Sequence, residues 1–256
     1  MRSTKAELQK RREDILNYLI ENGETTFEEA ASYFSVSTLT IRRDIEEFRK
    51  QNIIDVRNGN LKINREYRSS MKNNEYSKER AAIQKKAATF VCAEDVLFIN
   101  TSYTALGILK YINNIFCTII TNNTNILNIE YDSKIIPILC GGEIREPRSS
   151  VSGEIAKKVI RELKANKCFI GVDGVSLEGG LSSSVMHEAV INETMLKACT
   201  GKRYIVVTSD KFNKVSKFYC GGLNMVDCII TDVKANPLIV KELENQGIEV
   251  VLVTPR

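Results

Sequence analysis

Residues 35–44, SVSTLTIRRD, follow an amphipathic segment at 27–34, FEEAASYF, and the two together read as a helix-turn-helix. Phe27, Ala30, Ala31 and Phe34 are spaced i, i+3, i+4, i+7, one stripe of a helix. Thr26 stands where its hydroxyl can cap that helix, and Glu29, three residues on, closes a capping box. The next stripe is Ile41, Ile45 and Phe48, on a helix that Ser37 can cap. At about 100° per residue, burying it turns Leu39, Arg43 and Lys50 outward, with Arg42 and Glu46 on the shoulders. Adjacent arginines near a helix N-terminus suit a major groove. One can reach guanine O6 and N7 while the other neutralises phosphate, Thr38, Leu39 or Thr40 can meet a thymine methyl, and Ser37 and Lys50 are expected to add contacts to the DNA.

Arg-Arg alone marks no more than an exposed basic face; the flanks complete the pattern. Upstream, Leu8, Ile15, Leu16, Leu19 and Ile20 predict a first helix ending at Asn22-Gly23. Downstream, IIDVRNGNLKI at 53–63 predicts a hairpin about Asn58-Gly59, a wing with Arg57 at its tip to meet phosphate or the minor groove.

Charge limits how such a protein uses DNA. The net charge is +4, and residues 1–65 hold 12 Lys and Arg against 11 Asp and Glu. Bulk charge therefore does not drive binding; a local basic face, used in two or more copies, must. A homo-oligomer, dimer or tetramer, on repeated half-sites is expected. No run approaches the ~18 apolar residues of a membrane span, and the charged N-terminus shows no apolar leader, so a cytoplasmic protein with no membrane partner is expected. The seven cysteines lie beyond residue 90, most within apolar runs and none in a CxxC pair. With one histidine in the chain, they read as reduced core thiols, and no metal or cofactor is expected.

Residues 64–78 break the periodicity and read as a linker between a DNA-binding domain at 1–63 and a second domain at 79–256. In the latter, predicted strands at 96–100, 116–121, 134–140, 167–171, 204–208, 227–231 and 248–253 alternate with predicted helices at 79–93, 104–113, 124–130, 153–164, 185–199 and 235–246. This is an α/β pattern with a mostly parallel sheet covered on both faces. Ligands bind such sheets at the carboxyl ends of strands. The first such loop is Asn100-Thr101-Ser102-Tyr103-Thr104, hydroxyls opening a helix, suited to phosphate. The third is Gly141-Gly142-Glu143-Ile144-Arg145, where glycines let an anion approach and a guanidinium clamps it. Asp173-Gly174 offers a carboxylate to sugar hydroxyls, and Lys211 supplies charge.

Through SVSTLTIRRDIEEF and the wing, the sequence resembles the DeoR-type repressors of sugar catabolism. The resemblance extends to Thr121-Asn122, Gly141-Gly142-Glu143, Arg145, Ser152-Gly153-Glu154, Phe169-Ile170-Gly171, Glu188, Lys211-Phe212 and Thr231-Asp232, nearly the whole chain. It implies an effector domain similar to ribose-phosphate isomerases and a repressor of a carbohydrate operon controlled by a phosphorylated sugar. Against the family pattern, the wing has Gly59-Asn60 for Gly-Gly and Val56-Arg57 where a basic and a His residue are common. Five further departures are expected to fall in the crevice: Asn100 for Asp, Ser102-Tyr103 for Gly-Thr, Asn166 for Asp, Asn192 for Lys and Thr208 for Asp. The Tyr103 ring would narrow the phosphate loop.

Two other readings stay open: a regulator whose second domain only oligomerises, and a sugar-phosphate isomerase with a DNA-binding appendage. Isomerisation needs a positioned base and an enediolate partner. The crevice offers Glu188, Asp173, Asp210 and His187 but no evident acid–base pair, so no catalytic residue is assigned.

Overall fold

The computed structural model describes residues 5–57, 59–64, 77–145 and 149–255. The chain divides into two compact units, 1–76 and 77–256. Most of the expected linker, residues 65–76, lies outside the described residues.

The first unit begins with helix α1 (Lys5–Asn22). Strand β1 (Glu24–Thr26), α2 (Phe27–Tyr33), α3 (Thr38–Lys50) and the hairpin β2 (Ile54–Arg57) and β3 (Asn60–Ile63) follow. The hairpin register, with Arg57 opposite Asn60, leaves the two-residue loop that Asn-Gly favours. β1 was not expected; it pairs with β3 to make a three-stranded sheet, β1-β3-β2. Ile15 and Leu19 of α1, Ala30 of α2, Ile41 and Ile45 of α3 and Leu61 of the wing close one core.

The second unit opens on α4 (Ser77–Ala88), shorter at its C-terminal end than expected. Then come β4 (Val96–Ile99), α5 (Tyr103–Leu106), β5 (Cys117–Thr121), β6 (Ile135–Leu139), β7 (Glu143–Arg145), β8 (Ser150–Ser152), α6 (Gly153–Leu163) and β9 (Ala165–Ile170). Strands β10 (Gly174–Ser176) and β11 (Gly180–Ser183), α7 (Met186–Ala198), β12 (Cys199–Val206), β13 (Phe218–Gly221), β14 (Cys228–Asp232), α8 (Pro237–Asn245) and β15 (Glu249–Val253) complete it. Seven strands form a parallel sheet in the order β15-β14-β12-β9-β4-β5-β6. Alternate residues go to opposite faces. Leu97, Ile99, Ile119, Phe169 and Ile230 pack on one side with Ile83 and Ala87 of α4. Phe98, Ile120, Cys168, Ile170 and Ile229 pack on the other with Ile160, Met195 and Leu243 of α6, α7 and α8.

Three expectations need correction. The helix expected at 124–130 is only a 3-10 turn, Thr124–Leu127, because Asn123 and its neighbours turn the backbone locally; Asn123 Oδ1 takes the Asn125 amide at 3.0 Å. The helix expected at 104–113 is the single turn α5 continued as a 3-10 turn, Gly107–Tyr111. Between β6 and α6 stands an unforeseen hairpin, β7-β8, and β10, β11 and β13 form a separate antiparallel sheet. Six of the cysteines are buried and none forms a disulfide, whereas Cys92 is exposed rather than in the core. Among the described residues no helix is long and apolar enough to cross a membrane.

Candidate nucleic-acid interface and effector crevice

Local chemistry sets where α2 and α3 begin. Thr26 Oγ1 accepts the Glu29 amide at 3.1 Å and Glu29 accepts the Thr26 amide at 2.9 Å, the reciprocal box read from sequence. That backbone bond, with the Thr25 and Thr26 hydroxyls, holds Glu29 below the usual carboxylate range. Ser35 turns the chain at φ 51°, and the Val36 amide returns to the Ala31 carbonyl at 3.0 Å. Ser37 then caps α3, accepting the Thr40 amide at 3.2 Å and pairing with the Thr40 hydroxyl at 2.8 Å. Ser37 is thus occupied in starting the helix.

Ile41, Ile45 and Phe48 are buried, and Leu39, Arg42, Arg43 and Lys50 are exposed; Thr38 and Thr40 are half-buried. Leu39, an aliphatic side chain at the start of the helix, is left 59% in solvent. Arg42 lies over the Phe27 ring, 5.2 Å from its centroid, which holds its guanidinium against α2. Lys50 is paired with Glu47 at 2.8 Å. Arg57 is exposed at the end of β2.

Sequence periodicity missed Asp44. It is buried in the middle of α3 and accepts Arg11 Nε at 2.8 Å and Arg12 Nε at 3.0 Å, both from α1. Two guanidiniums on one carboxylate pin α3 to α1. The available signal was an acidic residue in step with the apolar stripe, one position before Ile45.

In the second unit the structure brings Asn100, Ser102, Gly171, Asp173 and Ser184 close together around the ends of β4 and β9. Asn100 is buried and all its capacity is spent. Its amide donates to the Gly171 carbonyl (2.8 Å) and to Asn192 Oδ1 (2.9 Å), and its oxygen accepts the Gly171 and Ser102 amides at 3.0 and 3.2 Å. Ser102 caps α5 and packs so tightly on Gly171 that a Cβ there would lie 2.0 Å from its hydroxyl. Thr104 is buried and Thr101 half-buried. Asp173 accepts the Ser184 amide and hydroxyl at 2.8 and 2.6 Å, and Gly174 begins β10. Lys211 is 3.0 Å from Asp210 and half-buried. Burial alone would raise the Asp210 pKa; the Thr208 hydroxyl and the Lys211 and Lys214 charges outweigh it and lower it.

Gly141 and Gly142 make the turn into β7 with φ of 70° and 115°; a Cβ on Gly142 would meet the Ser152 carbonyl at 2.4 Å. Glu143 and Arg145 of β7 are exposed and paired with each other, and Arg145 also donates to Ser152 at 3.2 Å. The β7-β8 hairpin runs beside the loop after β5, where the Val151 amide meets the Asn122 carbonyl at 2.8 Å.

Two placements differ from the sequence reading. Asn166 is not in the crevice: it lies at the start of β9, the opposite end of the sheet, bonded to Asp95 and to the Val96 amide. Nor does the Tyr103 ring fill the phosphate loop. It is 59% exposed and lines a groove of about 870 Å³ between α5 with its 3-10 extension and the 123–132 segment.

Residues 11–66 match the DeoR-like helix-turn-helix domain and residues 75–233 the DeoR C terminal sensor domain. The chain is 26% identical over 253 residues to the glycerol-3-phosphate regulon repressor of Escherichia coli (strain K12), covering 94% of this chain and 98% of that one. It is 27% identical over 248 residues to the HTH-type transcriptional repressor GlcR of Bacillus subtilis (strain 168), covering 93% of each. A ribose 5-phosphate isomerase from Methanocaldococcus jannaschii overlaps 55% of each chain with a TM-score of 0.39 and 14% identity, too partial a superposition to carry an argument. With both domains matched along most of its length, the chain belongs to the DeoR family of sugar-operon transcriptional repressors.

Proposed function

We propose that the first unit reads double-stranded operator DNA with the N-terminal half of α3, and that a phosphorylated sugar in the second unit releases it from a carbohydrate operon. The observation that carries the DNA half is the division of α3: Ile41, Asp44, Ile45 and Phe48 are buried, and the opposite face presents Leu39 and Arg43. Arg43 is assigned to a base edge, Thr38, Leu39 and Thr40 to thymine methyls and nearby polar edges, and Arg42, Lys50 and Arg57 to phosphates. Ser37 orients the helix. One such helix buries too little DNA for strong specificity, so the working form is a dimer or tetramer in the cytoplasm, where its operator is.

Effector release is assigned to the crevice walled by Asn100, Ser102, Thr104, Gly141, Gly142, Glu143, Arg145, Asp173, Gly174 and Lys211; Thr101 and Tyr103, expected there, line the neighbouring groove instead. A glycerol-3-phosphate regulon repressor among its relatives supports a phosphorylated ligand. The chain is assigned no catalysis: Asp173 is bonded to Ser184, Asp210 to Lys211, and Glu188 accepts the Ser183 hydroxyl at 3.4 Å. A crevice that bonds its own polar groups also favours a second reading, a domain that only oligomerises.

Operator binding by Arg43→Ala tests the first assignment. The variant is expected to lose ~1–3 kcal/mol on the cognate site and to discriminate less among base changes. Unchanged affinity and specificity in a gel shift would remove Arg43 from the reading face. Lys211→Glu, expected to abolish sugar-phosphate release while leaving operator binding intact, tests the second.

A further inference from the structure

A groove of the second unit lies apart from the crevice. β5 ends at Thr121 and β6 begins at Ile135, and the crossover between them carries one 3-10 turn where parallel strands usually have a helix. The missing helix leaves the groove of about 870 Å³, inside the roughly 300–1,000 Å³ range of small-molecule sites. Tyr103 and Tyr131 line it, 59% and 37% exposed, over Leu106, Leu109 and Ile129. Asn125 and Asn128 also line it, and neither side chain makes a hydrogen bond among the described residues.

We propose that this groove is a second ligand site, distinct from the crevice, and that it takes a neutral polyhydroxylated ring, an unphosphorylated sugar. Each asparagine offers a donor and an acceptor, which is what a hydroxyl needs on both counts. Tyrosine faces, electron-rich at the centre, cover the C–H face of a sugar ring and leave its hydroxyls to the amides. Charge selects against a phosphate ester: Lys110 is the lining cation, against Glu130 and Asp132. Asp132 stays ionised, since the Asn114 and Lys134 amides lie 2.8 and 2.9 Å from its oxygens and lower its pKa. With Lys134 acting on Asp132 from outside the lining, a dianion would find no surplus of positive charge in the groove. The inference rests on reading this unit as a sugar sensor, not on the crevice assignment. The two sites share the 100–104 loop, which gives Thr101 and Tyr103 to the groove and Asn100 and Ser102 to the crevice.

Titration calorimetry on the full chain tests it, with D-glucose, D-galactose, N-acetyl-D-glucosamine and myo-inositol as probes beside the 6-phosphates of the first two. At least one neutral compound is expected to saturate the protein, with its phosphate ester at least tenfold weaker. Tyr131→Ala and Asn128→Ala, both exposed positions, are each expected to weaken it by about fivefold to tenfold, the loss of one stacking or hydrogen-bonding contact. Lys211→Glu is expected to leave this binding unchanged. The proposal is overturned if no neutral compound binds, if a phosphate ester binds more tightly, or if binding follows Lys211→Glu instead of the groove variants. It is equally overturned if Leu127→Glu, on the 77%-exposed leucine of the same turn, changes the oligomeric state by light scattering, since the groove would then be an interface between copies. Loss of the crevice is a separate outcome: sugar-phosphate release of DNA that survives Lys211→Glu removes the crevice and leaves the groove standing.

Discussion

The central strands β4 and β9 are tied together differently at their two ends. At the N-terminal end the tie is ionic: Asp95 accepts Lys167 Nζ at 2.6 Å, Asn166 Nδ2 at 2.7 Å and the Cys92 amide at 2.7 Å. At the C-terminal end it is neutral: Asn100 bridges to Gly171 and Asn192 without a charge. Asp95 and Asn100 are both buried, while Lys167 and Asn166 keep access to solvent, so the ionic tie is the wetter of the two. The neighbourhood differs too, because ligands approach a parallel sheet at its C-terminal end. The family resemblance places Asp at position 100 and Lys at 192. The two departures are in contact, so they read as one exchange of a buried ion pair for an amide pair rather than as two losses of charge.

Putting a charge back is the largest predicted effect. In Asn100→Asp the carboxylate still accepts the Gly171 and Ser102 amides, but its other oxygen faces the Gly171 carbonyl and Asn192 Oδ1, acceptors both. A cost of about 3 kcal/mol in chemical denaturation is expected. Adding Asn192→Lys supplies the missing cation, and the double variant is expected to recover at least about 1 kcal/mol of it, a coupling typical of residues in contact. Additive losses in that cycle would mean that positions 100 and 192 do not act as a pair.

How much of this was legible in the sequence depended on the range of the interactions. The α3 face was readable because one helical period fixes which side chains are left over, and the Thr26–Glu29 box and the Ser37 cap are contacts within three residues. The alternating strands and the parallel sheet were readable for the same reason. Asp44 was not, since its partners are more than thirty residues away. Asn166 was assigned to the crevice as a family departure, though its position at the start of β9 puts it at the far end. The β7-β8 hairpin escaped because Glu143–Arg145 looks like loop chemistry and has no apolar alternation. The groove escaped because it comes from a helix that the Asn-rich segment at 122–128 fails to form.

At the ionic end the expected loss is smaller. Asp95→Asn keeps an acceptor for the Cys92 amide but removes the carboxylate from Lys167, which is 17% exposed and partly compensated by water. About 2 kcal/mol is expected at neutral pH, discounted from the ~3–5 kcal/mol of a fully buried broken pair. The pH dependence has a definite sign. Burial would raise the Asp95 pKa, but Lys167, the Cys92 amide and Asn166 together lower it below the ordinary value near 3.8. The stability this gives is present above that value and is lost as pH falls through the folded pKa. Urea midpoints of wild type and Asp95→Asn are therefore expected to differ at pH 7 and to converge below about pH 4. A constant gap across the acid range would show that the tie is held by shape rather than by charge.

The smallest stability effect is expected at Asp210 and Lys211, where the C-terminal end does carry an ion pair, one strand outward from the amide tie. Both side chains keep access to solvent, at 20% and 31% exposure, and Lys214 shares the same carboxylate at 3.6 Å. A pair so placed contributes about 0–1 kcal/mol, so Lys211→Ala is expected to move the unfolding midpoint by no more than about 0.5 kcal/mol. Raising the salt to about 1 M is expected to remove most of that, the Debye length having shrunk to about 3 Å, comparable to the spacing of these pairs. The same substitution is expected to weaken release of operator DNA by sugar phosphates far more than it weakens the fold. If Lys211→Ala instead unfolds the protein as severely as Asn100→Asp, charge supports the fold at both ends of the sheet, and the distinction between an ionic end and a neutral one fails.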